Sequence, residues 1–391
     1  MKGKPHSPPA ASLRILIRGT NWLGDAVMTT PALIRLREKF PDSHVAILTP
    51  EKLEQLWQQH PAVNEIISVA AGENVFAAAK KLRAKKFDVA VVLPNSPRSA
   101  LEVFLARIPN RIGYPRPWRN FFLTRTVSPR PGAVAMRKRS VVEIKELVGK
   151  LPASIKDAPG NHEPSLSPMR EKTVVWGQAH QSHEYLHLAA ALGANPEPLP
   201  AKLFVTPEEI EAARKKFGLE RISSPVLGLN PGAEYGPAKR WPIDRFIAAA
   251  REIQRLTNCA WILFGGINDE DLANQIQSAI GGGPPAILNL TGQTSLRELM
   301  CLLKLCRVFA TNDTGPMHVA AALGVPVVAI FGSTSPEWTA PLPAGESLLK
   351  ILRSDAPCSP CFLRECPIDF RCMNGIAVER VAKAVVEILN R

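Results

Sequence analysis

Short apolar runs alternate with amphipathic stretches in two blocks of the chain. The runs are rich in Val, Ile and Leu, as strands of a parallel sheet covered on both faces tend to be. Pro31 follows Thr30 in the favoured first-turn position, so a second helix start is expected shortly after the first strand. In the first block the pattern predicts strands at 13–18, 45–48, 66–69 and 89–93, and helices at 25–40, 51–60, 75–86 and 98–108.

The second block repeats this alternation. From 124 to 200, between the blocks, the periodicity fades and prolines accumulate. Only 140–150 and 183–192 are predicted as helices there, and 163–167 as exposed loop. In the second block the pattern predicts strands at 226–229, 261–264, 287–290, 308–310 and 327–331, and helices at 208–217, 243–256, 270–280, 296–306, 317–323 and 378–389.

Strands that alternate with helices at this spacing predict an α/β fold with two doubly wound, Rossmann-like domains. We expect an N-terminal domain at residues 1–200 and a C-terminal domain at 201–391, facing each other across a cleft. Open α/β sheets bind ligands outside the carboxyl ends of their strands. The chemistry is therefore expected in the loops that follow strands.

The composition is that of a globular chain. Its 391 residues are 46% hydrophobic and 21% charged, which excludes disordered, collagen-like and coiled-coil chains and allows two cores. Arg14 and Arg18 interrupt the first apolar stretch, so no secretory signal is expected. The run at 325–331 is far shorter than the roughly 20 residues of a membrane span. Seven cysteines at low density favour the reducing cytoplasm over a disulfide framework.

The basic surplus is confined to one stretch. The chain has 48 Lys and Arg against 35 Asp and Glu, and residues 80–150 alone contain 17 basic and 4 acidic residues, a surplus of 13 that equals that of the whole chain. This stretch predicts a polyanionic partner, such as phosphates, nucleic acid or an anionic membrane. For the cations at 80–86, a solvated helix face and membrane contact both stay open.

A glycine-containing turn, from Gly19 to Asp25, follows the first strand and opens a helix. It lacks both the GxGxxG spacing and the lysine of a P-loop, so neither a dinucleotide site nor an NTPase site is predicted. Asp25 has two interpretations. It is either the N-cap of the helix or a carboxylate that acts as general base.

Two further turns come after strands of the second block. Lys239 and Arg240 follow the Asn230–Ala233 loop, where they are either a diphosphate site or a solvated cationic loop. In the turn beginning at Gly265, acidic residues are candidates for ribose hydroxyls, although for Asp269 a plain N-cap is favoured.

The strongest local signal is the segment from Asn312 to His318. Thr314 and Gly315 offer backbone amides to a phosphate at a helix N-terminus. Pro316 presets the first turn of that helix. His318 lies within the turn and is either structural or a donor to a leaving phosphate.

Four cysteines lie close together near the C-terminus, and zinc and packed or redox-labile thiols are the alternatives for them. Their spacing is shorter than that of a two-knuckle zinc ribbon, which favours thiols. They are Cys358, Cys361, Cys366 and Cys372.

Four motifs in this order carry a resemblance that spans Arg14 to the final helix. They are GTNWLGDAVMTTPAL, NPGAEYGPAKRWP, TNDTGPMHVAAALGVPVVAIFG and PCFLRECPIDFRCM. The chain resembles the ADP-heptose:lipopolysaccharide heptosyltransferases, which are inverting glycosyltransferases of GT-B fold, and is most like their type II. The resemblance implies that the first domain receives the acceptor saccharide and the second holds ADP-heptose. The last helix is expected to pack back on the first domain. No metal or other cofactor is implied.

The resemblance also implies roles for residues, with Asp25 matching the family's catalytic base. The expected donor-binding residues are Gly232, Ala233, Lys239, Glu270, Asp313, Thr314, Gly315 and His318. The expected acceptor-binding residues are Asn95, Ser96, Arg98, Arg116 and Arg119. Between about 136 and 181 the chain departs from the family pattern and is enlarged.

The partners implied are ADP-heptose, an acceptor of lipid A-Kdo-heptose type and the cytoplasmic face of the inner membrane, which the protein contacts peripherally. Two alternatives are a GT-B enzyme that uses another nucleotide sugar and a non-catalytic polyanion-binding protein. No nucleic acid is expected as partner, because no nucleic-acid fold signature occurs.

Overall fold

The computed structural model describes residues 13–134, 136–150, 179–281, 286–341 and 349–391. The loop predicted at 163–167 lies outside these ranges. The chain forms two compact units, the first of Met1–Asn21, Pro31–Pro131 and Glu184–Pro198, and the second of Trp22–Thr30, Gly132–His183 and Leu199–Arg391. The two units are therefore not separated by a single boundary at residue 200, because short segments of the N-terminal half cluster with the second unit.

The described residues form twelve strands and fourteen α-helices. The strands are β1 (Arg14–Arg18), β2 (His44–Pro50), β3 (Glu65–Val69), β4 (Val89–Val92), β5 (Asn110–Gly113), β6 (Arg125–Thr126), β7 (Val226–Asn230), β8 (Ala260–Leu263), β9 (Ile287–Asn289), β10 (Val308–Asn312), β11 (Val327–Ile330) and β12 (Leu349–Leu352). The helices are α1 (Leu23–Met28), α2 (Thr30–Lys39), α3 (Val75–Ala84), α4 (Pro97–Leu105), α5 (Val141–Gly149), α6 (Ser182–Ala190), α7 (Pro207–Lys216), α8 (Ile243–Thr257), α9 (Glu270–Ile280), α10 (Leu296–Leu305), α11 (Gly315–Ala322), α12 (Pro336–Thr339), α13 (Arg371–Asn374) and α14 (Val378–Leu389).

Each unit contains one six-stranded parallel sheet, and the two sheets have the same topology. The first has the order β3-β2-β1-β4-β5-β6 and the second β12-β11-β10-β7-β8-β9. In the first, Leu16 lies between Ala46 and Ala90. Strand order reverses between β1 and β4 and between β7 and β10, which is where doubly wound sheets open a crevice. The predicted α/β class with two Rossmann-like sheets is confirmed.

The cores explain why the strands read as continuous apolar runs. All four residues of β4 and of β11 are buried. Helices that bury one stripe, such as α3 with Leu82 and α4 with Val103, cover the first sheet. The final helix α14 has five buried residues, and all five belong to the core of the second unit. The expectation that this helix packs back on the first domain stays a prediction.

Element boundaries differ from the predictions where local sequence is ambiguous. The predicted helix at 51–60 is a 3-10 helix, Glu51–Leu56, in which Leu53 and Leu56 are buried at the three-residue spacing of that helix type. The predicted second start at Thr30 is confirmed. Strands β5, β6 and β12 were missed because they are short and partly exposed. In the described part of the chain, no helix combines the length and apolar content needed to cross a bilayer.

Candidate active site

The Asp25 carboxylate lies in the first turn of α1, within the second unit. Trp22 occupies the N-cap position, and the Asp25 side chain makes no capping hydrogen bond, so the N-cap interpretation was wrong. Burial raises the pKa of Asp25 to about 6; Asp313 also raises it, and Gln181 and Lys239 lower it. The result is a carboxylate that is ionised at neutral pH yet more basic than an ordinary aspartate.

Two glycines let α1 and α11 pack at short range. A Cβ atom at Gly24 would lie 2.9 Å from Cδ2 of His318, and one at Gly315 would lie 2.9 Å from Cβ of Leu23. Contacts this short leave no room for a side chain at either position. The packing places Asp25 beside the loop that follows β10, the most conspicuous motif of the sequence.

Lys239 and Asp313 form a nearly buried ion pair. Nζ of Lys239 lies 2.6 Å from Oδ2 of Asp313, and the hydroxyl of Thr334 donates to the same oxygen at 2.6 Å. Only 3% of the Asp313 side chain is exposed. A carboxylate buried to this degree is stable as an anion because a cation and a hydroxyl contact it. Asp313 in turn fixes the position of the lysine ammonium.

His318 is buried in the first turn of α11. Its pKa is lowered to about 4, chiefly by burial; the Asp313 carboxylate raises it and the Lys239 ammonium lowers it. Its Nδ1 has no hydrogen-bond partner among the described residues. The imidazole is therefore neutral at pH 7 and can offer one N–H without bringing a charge.

Asn312 and Asp269 hold the loop after β7 in place. The Asn312 amide donates to the carbonyl of Pro231 at 2.8 Å, and its oxygen accepts from the backbone N–H of Trp241 at 3.0 Å. Any side chain at Gly232 would overlap the Asp269 carboxylate, which also accepts from Arg240 at 3.2 Å. Asp269 occupies the N-cap position of α9 but does not cap it. Its predicted role as a plain N-cap was wrong.

The predicted donor residues fall into two groups. Glu270 is exposed, and one of its carboxylate oxygens lies 3.2 Å from the position a Cβ would take at Gly292. It makes none of the contacts described above around the Lys239–Asp313 pair. Of the other predicted donor residues, Lys239 contacts Asp313, Gly232 contacts Asn312, and Gly315 and His318 lie in the helix that packs against the helix of Asp25. Ala233 is buried in the loop after β7, and Thr314 is the N-cap residue of α11.

Two of the predicted acceptor residues contact each other in the first unit. Asn95 follows β4, and its side-chain oxygen accepts from NH1 of Arg119 at 3.1 Å. Arg119 is fully buried, and its Nε and NH2 have no partner among the described residues. Burial, together with the nearby charge of Arg116, lowers the pKa of Arg119 to about 10. A buried guanidinium without a carboxylate is costly, which marks this position as unusual.

The other predicted acceptor residues have structural partners or face solvent. Ser96 caps α4 by accepting from the backbone N–H of Ser99. Arg98 donates to Glu102 at 3.2 Å and to the carbonyl of Glu73. Arg116 is exposed, and its guanidinium donates to the carbonyl of Pro115 while its backbone contacts Asn120 and Arg119.

The cysteine motif forms a small apolar cluster in the second unit. Cys358 and Cys361 pack with Ile144 of α5. Burial raises the pKa of both thiols and raises that of Cys372 to about 12. In the ranges that the structure describes, no group of three His, Cys, Asp or Glu side chains is arranged to hold a metal ion. Cys358, Cys361 and Cys372 are free, buried thiols, and Cys366 is a free thiol that is partly buried.

Sequence reasoning missed three side chains at this site. Gln181 lies in the segment where periodicity fades, and no local signal distinguishes it. Thr334 lies in the loop after β11, and a position at the carboxyl end of a predicted strand is a signal that could have identified it. Arg364 belongs to a motif in which only the cysteines were considered, although it lies against Tyr235 and the Lys239 loop.

Comparisons with known proteins agree with this arrangement. A model of glycosyltransferase family 9 (heptosyltransferase) matches residues 163–370, more than half of the chain. Lipopolysaccharide heptosyltransferase 2 of Salmonella typhimurium (strain LT2) is 30% identical over 349 residues, which cover 87% of this chain and 88% of that protein. The protein of the same name from Escherichia coli (strain K12) is 28% identical over 351 residues, again 87% and 88%.

A solved structure extends the similarity to the fold. The E. coli ADP-heptose lps heptosyltransferase II matches with a TM-score of 0.73 and 26% identity, covering 97% of this chain and 99% of that one. The similarity therefore includes both units.

Proposed function

The chain belongs to glycosyltransferase family 9, the heptosyltransferases, and we propose that it moves a heptose from ADP-heptose to the inner core of lipopolysaccharide, inverting the anomeric carbon. The observation that carries this proposal is the half-buried Asp25, with its raised pKa, beside the Lys239–Asp313 pair. A base and a cation next to each other are what a displacement of a diphosphate requires.

Asp25 is the base of the reaction. An acceptor hydroxyl oxygen forms a bond to the anomeric carbon while the bond from that carbon to the diphosphate oxygen breaks. The hydroxyl proton goes to the Asp25 carboxylate, and the electron pair of the broken bond leaves with ADP. A single displacement of this kind inverts the anomeric carbon.

The donor diphosphate lies at Lys239 and at the N-terminus of α11. The first N–H groups of a helix lack partners within the helix, so those of Thr314 and Gly315 are available to phosphate oxygens. Gly232 and Ala233 line the facing loop. Neutral His318 donates to the leaving phosphate, and Asp313 holds the lysine.

The ribose hydroxyls are assigned to Glu270, the exposed acid at the start of α9. A carboxylate accepts hydrogen bonds from two neighbouring hydroxyls, which suits a ribose. Its exposure leaves its oxygens available to a nucleoside.

The acceptor is of lipid A-Kdo-heptose type and is bound by the first unit. Asn95, Ser96, Arg98, Arg116 and Arg119 contribute, and the buried Arg119 guanidinium favours an acidic group on the acceptor. The basic stretch 80–150 and the 89% exposed Trp118 suit peripheral contact with the anionic cytoplasmic face of the inner membrane. The protein acts in the cytoplasm and needs no nucleic acid.

Measurement of ADP release tests the function. Purified protein is given ADP-heptose with lipopolysaccharide acceptors truncated at successive core positions. We expect release with one acceptor length and none with Asp25→Asn, which still binds ADP. Release from UDP or GDP sugars instead, tested in parallel, would assign another nucleotide sugar as donor. Wild-type turnover by Asp25→Asn would remove Asp25 as base.

A further inference from the structure

Arg364 is fixed against the loop that carries Lys239. Its backbone carbonyl accepts a hydrogen bond from the N–H of Ala238 at 3.0 Å. Gly236 has a φ of +150°, and a Cβ there would lie 2.6 Å from that same carbonyl oxygen. Glycine at this position thus permits the close approach of the two loops, and the backbone of Arg364 is held to Ala238, the residue before Lys239.

Arg364 and Lys239 contact the same aromatic ring. The guanidinium carbon of Arg364 lies 5.2 Å from the ring centre of Tyr235, and Nζ of Lys239 lies 5.1 Å from it. The Tyr235 hydroxyl donates to the carbonyl of Phe362 at 2.8 Å, which fixes the ring. One immobilised tyrosine therefore positions both cations, each by a cation–π contact.

The three cations at these loops differ in whether a carboxylate pairs with them. Lys239 is paired with Asp313, and Arg240 is paired with Asp269. Arg364 is exposed and forms no ion pair among the described residues, not even with its sequence neighbour Glu365. Two cations are thus largely neutralised before any ligand arrives. Of these three cations, Arg364 is the one that has no carboxylate partner among the described residues.

We propose that Arg364 binds the diphosphate of the donor and stabilises the negative charge that develops on the departing nucleotide. The inference rests on the proposed function, because it takes the ligand to be a nucleoside diphosphate sugar. A guanidinium presents paired N–H donors that match two phosphate oxygens, whereas the Lys239 ammonium acts as a point charge. When the bond to the sugar breaks, the electron pair goes to the terminal phosphate oxygen, and Arg364 donates hydrogen bonds to that phosphate.

Calorimetric titration with ADP, AMP and adenosine tests the role of Arg364. Arg364→Met keeps most of the side-chain volume and removes the charge. We expect it to weaken ADP binding by about tenfold to a hundredfold, AMP binding by far less, and adenosine binding not at all. Arg364→Lys should retain part of the ADP affinity. The control Arg214→Met removes an arginine on α7 that is 44% exposed and should leave all three affinities unchanged.

Two results would overturn the inference. One is ADP affinity in Arg364→Met equal to that of the wild type. The other is an equal loss for ADP, AMP and adenosine, which would show that the residue supports the loop and not the phosphates. Circular dichroism of each variant separates unfolding from either result. Failure of the wild-type protein to bind ADP would overturn the proposed donor itself, so the two failures are distinguishable.

Discussion

The side chain of Gln181 donates a hydrogen bond from Nε2 to Oδ1 of Asp25 at 3.3 Å. Among the described residues no other side chain hydrogen-bonds this carboxylate. Gln181 is itself held, because its backbone N–H donates to the carbonyl of Trp338 at 3.1 Å. The bond leaves Oδ2 of Asp25 as the oxygen that receives a proton.

The residue before Gln181 adds a second anchor. Nδ1 of His180 accepts from the backbone N–H of Ser182 at 3.2 Å, so the proton sits on Nε2, which donates to the carbonyl of Ala340 at 2.9 Å. Burial lowers the pKa of His180 to about 4, so this imidazole stays neutral and keeps its tautomer near pH 7.

Gln181→Leu should therefore move the acid limb of the pH–rate profile. With the pKa of Asp25 at about 6, activity rises as pH increases through about 6, because only the ionised carboxylate accepts a proton. Loss of the donated bond destabilises the ionised form and raises that pKa. We expect the limb to move up by about one pH unit, or roughly tenfold in rate on the acid side. Carbon NMR titration of the Asp25 carboxyl provides a second readout that needs no turnover.

Gln277→Leu is the matched control for this shift. Gln277 lies within α9, and among the described residues its side-chain amide donates only to the carbonyl of Ile287, at 3.5 Å. The pH–rate profile of the Gln277→Leu variant should match that of the wild type. An unchanged profile and an unchanged NMR titration in Gln181→Leu would show that the contact does not act on Asp25.

Lys239→Met should weaken ADP binding by about a hundredfold and also lower stability. The substitution removes a cation from the proposed phosphate site and leaves the buried Asp313 carboxylate with Thr334 as its one partner among the described residues. The double variant Lys239→Met, Asp313→Asn removes both charges. It should recover most of the melting temperature but not the ADP affinity. Recovery of both would mean that Lys239 acts only as the partner of Asp313.

Gly24→Ala should destabilise the protein by about 1–3 kcal/mol, because its methyl group would lie 2.9 Å from Cδ2 of His318. Denaturant unfolding measures the loss, and turnover should fall because Asp25 is the next residue. Gly149→Ala, at the end of α5, is the control, since a Cβ there meets no atom within 4 Å. Equal stability of the two variants would contradict the close packing of α1 on α11.

The sheets and the loops after their strands could be predicted from the sequence, for a physical reason. Parallel strands that are covered on both faces must be apolar, so runs such as 89–93 can be recognised in the sequence. The turns at the carboxyl ends of these strands can then be located without knowledge of tertiary contacts. The contacts of Gln181 and Arg364 were not predictable in this way. Each depends on a loop whose position is set by distant backbone partners, Trp338 in one case and Ala238 in the other. Local patterns contain no information on such pairings.

Helix ends show the same limit on a smaller scale. Asp25 and Asp269 both lie at the start of a helix, where the sequence favours an N-cap. Neither side chain caps its helix, because Asp25 accepts a hydrogen bond from Gln181 and Asp269 pairs with Arg240. Capping preferences favour aspartate by about 1 kcal/mol, which one buried ion pair or a tertiary hydrogen bond can offset.

Arg119→Met tests whether the buried guanidinium of the first unit serves the fold or the acceptor. Two of its nitrogens lack partners among the described residues, and only Asn95 accepts from it. Replacing an unpaired buried cation by an apolar side chain of similar volume should leave stability unchanged or raise it by about 1 kcal/mol. Acceptor KM should nevertheless rise by about tenfold or more, with ADP affinity unchanged, because the anionic group of the acceptor loses its partner. A drop in melting temperature together with an unchanged KM would show that Arg119 supports the loop after β5 and does not contact the acceptor.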